Sequence, residues 1–420
     1  MLPARRLRHV QPAAAAVLST GICLVVFTVA LLSRRLPTPA DVVLYGRPPA
    51  GQRSAATPSP TAAQASPAFP AYFDEYVAVH ERIGAGDLPG RYVEVRPSGQ
   101  LCNRIRAMIA GLVVAILTDR AMLVHFQEGY YAPLSALFQG PIQFEARGRS
   151  LSGTSREIAS DCGSPSLICD DINDYPETIL TVSGACYIVQ SIGANPRLRQ
   201  RFLDRIGPFE GSFRRLFSYF FPPNDAVVER VQQFEAQHRF DQHFVVALHV
   251  RGGGDFTSRM TDDDLRRYLT CAGQLAAPVG DQRPRRYFLA ADTAETRQRV
   301  VRLQSGRIDR AMFATLGEFQ ISDNVEGCQA ALAELLLLQR ADARVLTPAS
   351  SFSELSGAMA LDWHRNAYAV QDRHKGNGIP FPVTLQTAVD QCLQTNSTEP
   401  SMRELAMFLA RAPCLTATTP

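Results

Sequence analysis

The sequence predicts an α/β protein in which a doubly wound parallel sheet fills the second half of the chain. Between residues 244 and 361, short apolar runs of strand length alternate with longer segments of helical periodicity. Near residue 91, a strand, a helix and a second strand form a further βαβ unit. With 420 residues, 46% of them hydrophobic, the chain is long enough for two domains or one large bilobal domain.

The charge distribution argues against nucleic acid as a partner. The chain has 43 basic and 40 acidic residues, which are intermixed and give a net charge of +3. It shows no basic stripe and no basic patch interleaved with aromatic residues, the features that phosphate backbones attract.

The first 70 residues predict a cytoplasmic tail, a membrane anchor and a stem. Residues 12–33 carry no charge over 22 positions, and about 20 apolar residues cross a bilayer core. Arginines precede this segment, so residues 1–11 are expected in the cytoplasm. Residues 34–70 are rich in Pro, Ala, Ser and Thr, as in an extended stem. A cleaved signal peptide is the alternative, although its apolar region usually spans about 7–15 residues; either way, the rest is translocated.

Eight cysteines follow the predicted anchor, an even number that permits four disulfides in an oxidising compartment. They are Cys102, Cys162, Cys169, Cys186, Cys271, Cys328, Cys392 and Cys414. The sequence does not fix their connectivity, but Cys162 with Cys169 and Cys392 with Cys414 are the local pairs that we expect. Asn396 lies in the sole glycosylation sequon, and no cluster of Cys and His predicts a metal site.

The predicted βαβ unit near residue 91 begins with the alternating strand Arg91–Arg96. Apolar residues then recur every three or four positions from Leu101 to Ile116, and Ala121–Phe126 forms the second strand. The first turn, GQLCNR, stands at a helix N-terminus, where backbone amides face outward and can bind an anion. A plain helix start with Asn103 and Arg104 in solvent is the alternative.

The segment before the second sheet predicts loops followed by two helices. Residues 151–196 have poor periodicity, which favours loops and insertions that could line a cleft. Helices are predicted at Leu198–Phe221 and Asp225–His238, with Asn224 as the N-cap of the second.

The strongest functional motif is FVVALHVRGGGD, residues 244–255. Phe244–Val250 predicts a strand buried on both faces, and it ends in His249, Arg251, three glycines and Asp255. Ligands of open α/β sheets bind outside such strand ends. The planar donors of Arg251 match phosphate oxygens, and the glycines allow close approach of the backbone. An ordinary surface turn is the alternative for the motif taken alone.

Two further strand ends carry polar residues. Arg286–Ala291 is a predicted strand that ends at Asp292, and Ala343–Thr347 leads to Ser350 and Ser351 before a helix at Ser353–Leu361. Serine hydroxyls in that place either cap the helix or bind a phosphate. Together with Arg251, these groups are expected at one sheet edge, which predicts a nucleotide crevice.

The acidic run Asp262–Asp264 has two interpretations. Carboxylates spaced D-x-D on a loop are suited to a divalent cation and a diphosphate. Thr261 followed three positions later by Asp264, however, has the pattern of a capping box that starts a helix. The spacing favours the capping box.

Three stretches, VALHVRGGGDF, YFLAADT and ARVLTPASSF, resemble in order the conserved stretches of GDP-fucose-dependent fucosyltransferases. GQLCNRIRAMIAGLVVAILTDRAMLV and FRRLFSYFFPPNDAVVERVQQFEA resemble most the plant xyloglucan-type α1,2 branch of the α1,2, α1,6 and protein O-fucosyltransferase group. The resemblance implies a GT-B-like fold of two facing Rossmann-like lobes. These would be an acceptor-side lobe at 71–235 and a nucleotide-sugar lobe at 236–400, followed by a C-terminal helix and tail at 401–420.

The resemblance also implies residue roles. Arg251 would bind the β-phosphate of GDP-fucose and take part in catalysis, and Asp292 would contact the guanine end. The remaining donor-side residues are His249 beside the nucleotide, Ser350, Ser351 and Phe352 at the diphosphate, and Gly99 and Asn103 facing the sugar from the opposite lobe. Asp255 is the candidate general base, with stabilisation of the glycine turn as its alternative role.

The implied function is inverting transfer of fucose from GDP-fucose to a glycan or glycoprotein acceptor. It would need no metal and no cofactor beyond the donor, and it would take place on a single-pass type II protein of the Golgi membrane. Gly252 departs from the family pattern, since many relatives have a second Arg there. The alternatives are a metal-dependent transferase of another nucleotide sugar, using Asp262–Asp264, and a catalytically silent membrane-anchored glycan- or nucleotide-binding protein.

Overall fold

The computed structural model describes most of the chain between residues 69 and 369. The described residues are 69–127, 130–146, 151–159, 167, 170–184, 192, 195, 197–209, 211–252, 260–275, 277, 280–304, 313–316, 324–347, 350–359 and 367–369. They belong to one compact unit, Pro67–Pro420. The predicted tail, anchor, stem, C-terminal helix and Asn396 sequon lie outside the described residues, and the predicted lobe boundary near 235 stays a prediction.

The first parallel sheet has the strand order β2-β1-β4-β3. Its strands are β1 (Tyr92–Pro97), β2 (Ala121–Val124), β3 (Ser155–Ala159) and β4 (Ile179–Gly184), preceded by helix α1 (Tyr72–Ala85). Helix α2 (Leu101–Thr118) connects β1 to β2 and packs on the sheet. A Cβ at Gly111 would lie 2.2 Å from Val95 Cγ2, so the glycine allows this close helix–strand contact.

The expectation of loops over residues 151–196 is wrong at β3 and β4. Strand β4 is an interior strand, because Ile179–Gly184 pair with β1 on one side and Ile179–Val182 pair with β3 on the other. Its Ile-Leu-Thr-Val run is short and is surrounded by cysteines and polar residues, so the local sequence does not predict a strand. The run forms a strand because it pairs with β1.

Three helices lead to the second sheet: α3 (Arg199–Arg205), α4 (Ser212–Phe220) and α5 (Asp225–His238). The predicted single helix from Leu198 to Phe221 is wrong. Gly207 and Gly211 have φ of 89° and 68°, and Pro208 between them lacks an N–H, so the helix stops and restarts. The predicted N-cap of α5 is confirmed, since Asn224 Oδ1 accepts a hydrogen bond from Val227 N at 3.1 Å.

The second sheet has the order β7-β6-β5-β8-β9 and is parallel throughout its described pairs. Its strands are β5 (Phe244–Val250), β6 (Arg285–Ala291), β7 (Phe313–Ala314), β8 (Ala343–Leu346) and β9 (Ala367–Ala369). The associated helices are α6 (Asp262–Gln274), α7 (Ala294–Leu303), α8 (Val325–Arg340) and α9 (Ser351–Met359). All seven residues of β5 are buried, as predicted for a central strand.

The apolar core is continuous between the two sheets. One face of the second sheet, including Val245 and Phe288, packs with α8 into the core that surrounds α2. The other face, including Val246 and Leu289, packs against α6 and α7 in a separate cluster. Helix α8 therefore joins the two sheets, which explains why its leucines are buried almost all round.

Helix α2 is also long and apolar enough to cross a membrane by length and composition, but 94% of that window is buried inside the fold. We therefore assign it to the core. Cys102 and Cys328 are buried on α2 and α8 and are not in disulfides, so the four-disulfide framework is wrong for these two. Both side chains pack in the core as small apolar groups. Cys271 is disulfide-bonded, and the other five of the eight cysteines that follow the predicted anchor lie outside the described residues.

Candidate active site

The carboxyl ends of β5, β6 and β8 meet at one edge of the second sheet. Strand β5 pairs with β6 on one side and with β8 on the other. Arg251, Asp292 and Thr347 are each the first residue after one of these three neighbouring strands. The sequence predicted that polar groups from these strand ends would lie together, and the structure brings Arg251 and Asp292 into contact. The edge is the crevice in which open α/β sheets bind their ligands.

Asp292 holds the turn that carries Arg251. Its Oδ2 lies 3.4 Å from Arg251 Nε, and its Oδ1 accepts a hydrogen bond from Gly252 N at 2.9 Å. The Asp292 side chain is 7% exposed, whereas that of Arg251 is 39% exposed. The buried carboxylate therefore orients a guanidinium that is still partly exposed to solvent. Both carboxylate oxygens of Asp292 serve this turn, and contact with a guanine base stays a prediction.

Gly252 has no space for a side chain. A Cβ at this position would lie 2.1 Å from Thr296 Oγ1 and 2.7 Å from its Cγ2. Thr296 is buried and fixed, because its hydroxyl accepts from Thr293 Oγ1 at 2.8 Å at the start of α7. The departure from the second arginine of many relatives is thus a packing requirement of this chain.

His249 is a buried, neutral side chain beside the crevice. Its Nδ1 lies 2.7 Å from Ser353 Oγ, and its ring stacks on Phe352 with centroids 4.9 Å apart. Burial, with the nearby Arg251 charge adding to it, lowers the pKa of His249 to about 3. Across the pH range in which proteins work, it therefore acts as a shape and hydrogen-bonding group and carries no charge.

Thr347 links three elements at the same edge. Its hydroxyl donates to His249 O at 2.8 Å and accepts from Arg251 N at 3.0 Å and from Tyr268 Oη at 3.0 Å. Its own N–H donates to Ser353 Oγ at 3.1 Å. Sequence reasoning missed Thr347, Tyr268 and Ser353, because a threonine at a strand end and a serine in a helix are ordinary locally.

The first turn of α9 closes this edge. Ser350 is buried just before the helix, and its carbonyl accepts from Glu354 N at 2.9 Å. The helix begins at Ser351, so the first backbone amides of α9 lack intrahelical partners and could bind an anion. The predicted helix start at Ser353 is therefore wrong by two residues, because Ser351 and Phe352 already belong to α9. Contact of Ser350, Ser351 and Phe352 with a diphosphate stays a prediction.

The GQLCNR turn stands at the start of α2, the helix that packs on α9. Gly99 has a φ of 75°, and Arg104, which was expected in solvent as one alternative, is buried and donates to Gly99 O at 2.8 Å and to Phe126 O at 2.6 Å. Asn103 packs on Gly99, since a Cβ there would lie 2.7 Å from Asn103 Nδ2. The buried Arg104 therefore stabilises the turn through its hydrogen bonds to backbone carbonyls.

Charged groups connect this turn to the Arg251 edge. Arg106 on α2 pairs with Glu354 on α9 at 3.1 Å. Burial raises the pKa of the Cys102 thiol, and the charges of Arg106, Arg251 and Glu354 act on the same group. Cys102, in the GQLCNR turn, is thus within electrostatic range of Arg251 and of the Arg106–Glu354 pair. The placement of Gly99 and Asn103 on the sugar stays a prediction.

The acidic run at α6 forms the predicted capping box. Thr261 Oγ1 accepts from Asp264 N at 3.2 Å, and Asp264 Oδ2 accepts from Thr261 N at 3.0 Å. Asp262 pairs with Arg299 at 2.7 Å, and Asp263 with Arg266 at 2.6 Å. The capping interpretation is confirmed, and each carboxylate is engaged within the protein. Among the described residues, no group of three or more potential ligands is placed to hold a metal ion.

Three residues of the motif lie outside the described residues: Gly253, Gly254 and Asp255. The candidate general base therefore stays a prediction.

The fold is similar to that of solved fucosyltransferases. A mutant of Arabidopsis thaliana FUT1 in complex with GDP has a TM-score of 0.54 at 15% identity, over 72% of this chain and 79% of that chain. A NodZ α-1,6-fucosyltransferase co-crystallised with GDP has a TM-score of 0.48 at 16% identity, over 65% and 93%. POFUT1 in complex with GDP-fucose has 0.40 at 11% identity, over 68% and 99%. No protein-family model and no curated protein matches the chain. The chain thus has a mixed α/β fold with two parallel sheets, similar to the GT-B-like fold of FUT1.

Proposed function

We propose that this protein is a glycosyltransferase that transfers fucose from GDP-fucose to a glycan or glycoprotein acceptor, with inversion and without a metal. The observation that carries the proposal is Arg251, a partly exposed guanidinium fixed by the buried Asp292 at the sheet edge where nucleotides bind. The fold shared with fucosyltransferase FUT1, which was solved with GDP, supports this choice of donor.

The chemistry follows from charge. Fucosyl transfer develops positive charge on the sugar ring and negative charge on the departing GDP. A guanidinium and the amides at the start of α9 stabilise that leaving group in place, with no reorganisation during the step. Neutral His249 and its partner Phe352 would border the donor. Asp255 is the proposed base that takes the acceptor's proton.

The setting is proposed from sequence. The uncharged segment 12–33, the stem 34–70 and the Asn396 sequon favour a type II protein of the Golgi membrane. The disulfide at Cys271 supports an oxidising lumen for the catalytic part. The GQLCNR stretch supports the xyloglucan-type α1,2 branch.

The two alternatives are weaker on the observed contacts. In a metal-dependent transferase, Asp262–Asp264 would bind the cation, but these carboxylates cap α6 and pair with arginines. A silent binder was suggested by Gly252, and the contact with Thr296 supplies a packing reason for that glycine instead.

The test is GDP release from GDP-fucose by the full-length chain in detergent, with EDTA and a mixture of glycan acceptors. We expect fucose transfer that survives EDTA and falls at least about 100-fold in Arg251→Ala. Arg340→Ala is the matched control, because Arg340 is 43% exposed and also pairs with one carboxylate, Glu235. Loss of turnover with EDTA would support the metal-dependent alternative. GDP binding without turnover on any acceptor would support the silent binder.

A further inference from the structure

The parallel ladder between β5 and β8 stops just before the crevice. It pairs Val246 with Ala343, Ala247 with Arg344 and Leu248 with Val345. Continued by two residues, this register places Thr347 opposite Val250. In a regular parallel ladder, the N–H and C=O of Thr347 would then bond to His249 O and Arg251 N.

The side chain of Thr347 makes those two bonds instead of its backbone. The hydroxyl donates to His249 O and accepts from Arg251 N, at 2.8 and 3.0 Å. The backbone N–H of Thr347 is released from the ladder and donates to Ser353 Oγ on α9. The chain after β8 can therefore turn away from β5 without leaving the last peptide groups of β5 unsatisfied.

The Thr347 hydroxyl makes every hydrogen bond that it can donate or accept. A hydroxyl has one proton and two lone pairs, and the second lone pair accepts from Tyr268 Oη on α6 at 3.0 Å. Thr347 is 6% exposed and Tyr268 is 1% exposed. A buried group with all of its bonds made fixes the position of its partners, and water cannot readily replace it.

Arg251 is thereby held at two points. Thr347 fixes its backbone N–H, and Asp292 fixes Nε of its side chain together with the next N–H, that of Gly252. These contacts come from opposite neighbours of β5, namely β8 and β6. The direction of the guanidinium is set by both together.

We propose that Thr347 is a positioning residue that holds Arg251 in place for the β-phosphate of a guanosine diphosphate donor, its side-chain oxygen replacing a peptide group at the end of the ladder. This inference rests on the proposed function. It assigns Thr347 an effect on diphosphate binding that is separate from any effect on the nucleoside end of the ligand.

The test compares binding of GDP and GMP to the full-length chain by isothermal titration calorimetry. In Thr347→Val, which keeps the shape and loses the hydroxyl, we expect GDP to bind about tenfold more weakly and GMP to bind as in the wild type. Thr347→Ser retains the hydroxyl and should restore GDP affinity. Thr118→Val is the matched control: Thr118 is 3% exposed, its hydroxyl donates to Val114 O at 2.8 Å, and it lies at the far end of α2.

Each outcome decides a separate question. If the wild type binds GDP no more tightly than GMP, Arg251 is not a phosphate ligand, and the proposed function and this inference both fail. If the wild type prefers GDP and Thr347→Val keeps that preference, only the role of Thr347 fails. If Thr347→Val does not fold, the GDP affinities of Thr347→Ala and Thr347→Ser are compared instead, since these two variants also differ in the hydroxyl. If both Thr347→Val and Thr347→Ala fail to fold, the Thr347 hydroxyl has a purely structural role, and the proposal is overturned.

Discussion

At the scale of single residues, Gly252 shows how one contact changes the meaning of a sequence difference. Many members of the resembled family have a second arginine at this position, so the sequence alone suggests that a cation has been lost. In the structure, Thr296 Oγ1 occupies the space that a Cβ would need. A second arginine would therefore have to displace the start of α7, and Arg251 is the cation that this turn can carry.

The first prediction concerns this contact. Gly252→Ala should destabilise the fold by about 1–3 kcal/mol, because overpacking forces a buried neighbour to move. Thr296→Ala removes the two nearest atoms, Oγ1 and Cγ2, so it should recover part of that loss in the double variant. The measurement is a double-mutant cycle of unfolding free energies. Additive effects of the two substitutions would show that the side chains do not meet.

At the scale of elements, helix α6 is a case in which local sequence decides the structure. The three aspartates serve the helix start, through the capping box and two ion pairs with arginines. Negative charge in a first turn is also favoured by the helix dipole.

We predict that Thr261→Ala destabilises the protein by about 0.5–2 kcal/mol, the usual effect of a lost N-cap. Thr270→Ala is the control within the same helix, since its exposed hydroxyl donates back to Arg266 O and does not cap the helix start. It should leave stability unchanged or raise it slightly, because alanine has the higher helix propensity. Thermal melts of the two variants measure the difference, and equal losses would contradict the capping role.

Helix α8 carries a buried acid that predicts a pH dependence. Burial raises the pKa of Glu334 to about 7 from a usual value of 4.5, while the Arg297 guanidinium, 2.7 Å away, opposes the shift. Between these two values the folded state keeps a proton that the unfolded state has released. The contribution of Glu334 to stability therefore falls as pH rises from about 4.5 to 7, and it is constant above that range.

The third prediction is that the wild type loses stability relative to Glu334→Gln as pH rises from 5 to 7, as judged by the unfolding free energies of the two proteins. Above the folded pKa the difference should level off, because both states have then lost the proton. Melting temperatures of both proteins across this pH range measure it. A shift in the opposite direction would show that the ion pair with Arg297 outweighs burial.

At the scale of the whole molecule, the two sheets share a core through α8, and α9 packs on α2. The Arg106–Glu354 ion pair joins the second turn of α2 to the first turn of α9. Arg106 is 8% exposed and Glu354 is 41% exposed. Burial raises the pKa of the Glu354 carboxyl, and Arg106 opposes that shift.

The fourth prediction is that Glu354→Gln destabilises the protein by about 1 kcal/mol, because the buried Arg106 loses its ion pair while the exposed side of Glu354 limits the effect. Glu326→Gln is the control, since Glu326 is 61% exposed in its pair with Arg230. That substitution should cost less than about 0.5 kcal/mol. Equal and negligible effects would show that the α2–α9 contact depends on apolar packing alone.

The elements that could be predicted from the sequence are those whose signal is local. The buried run of β5, the apolar stripe of α2, the N-cap Asn224 and the capping box of α6 all depend on residues within a few positions of one another. Arg251 and Asp292 could be placed at the same edge because parallel strands end together. Hydrophobic periodicity and capping are short-range effects, so they can be read without knowing the neighbours.

The residues that position these groups depend on contacts between distant parts of the chain and could not be predicted from local sequence. Strand β4 exists because β1 lies beside it, and Gly252 is required because Thr296 is there. Thr347 holds His249 and Arg251 across separations of 98 and 96 residues. A hydroxyl at a strand end has no distinctive local pattern, and its partners are fixed by which strands become neighbours. That choice depends on packing of the whole core, which no short stretch of sequence contains.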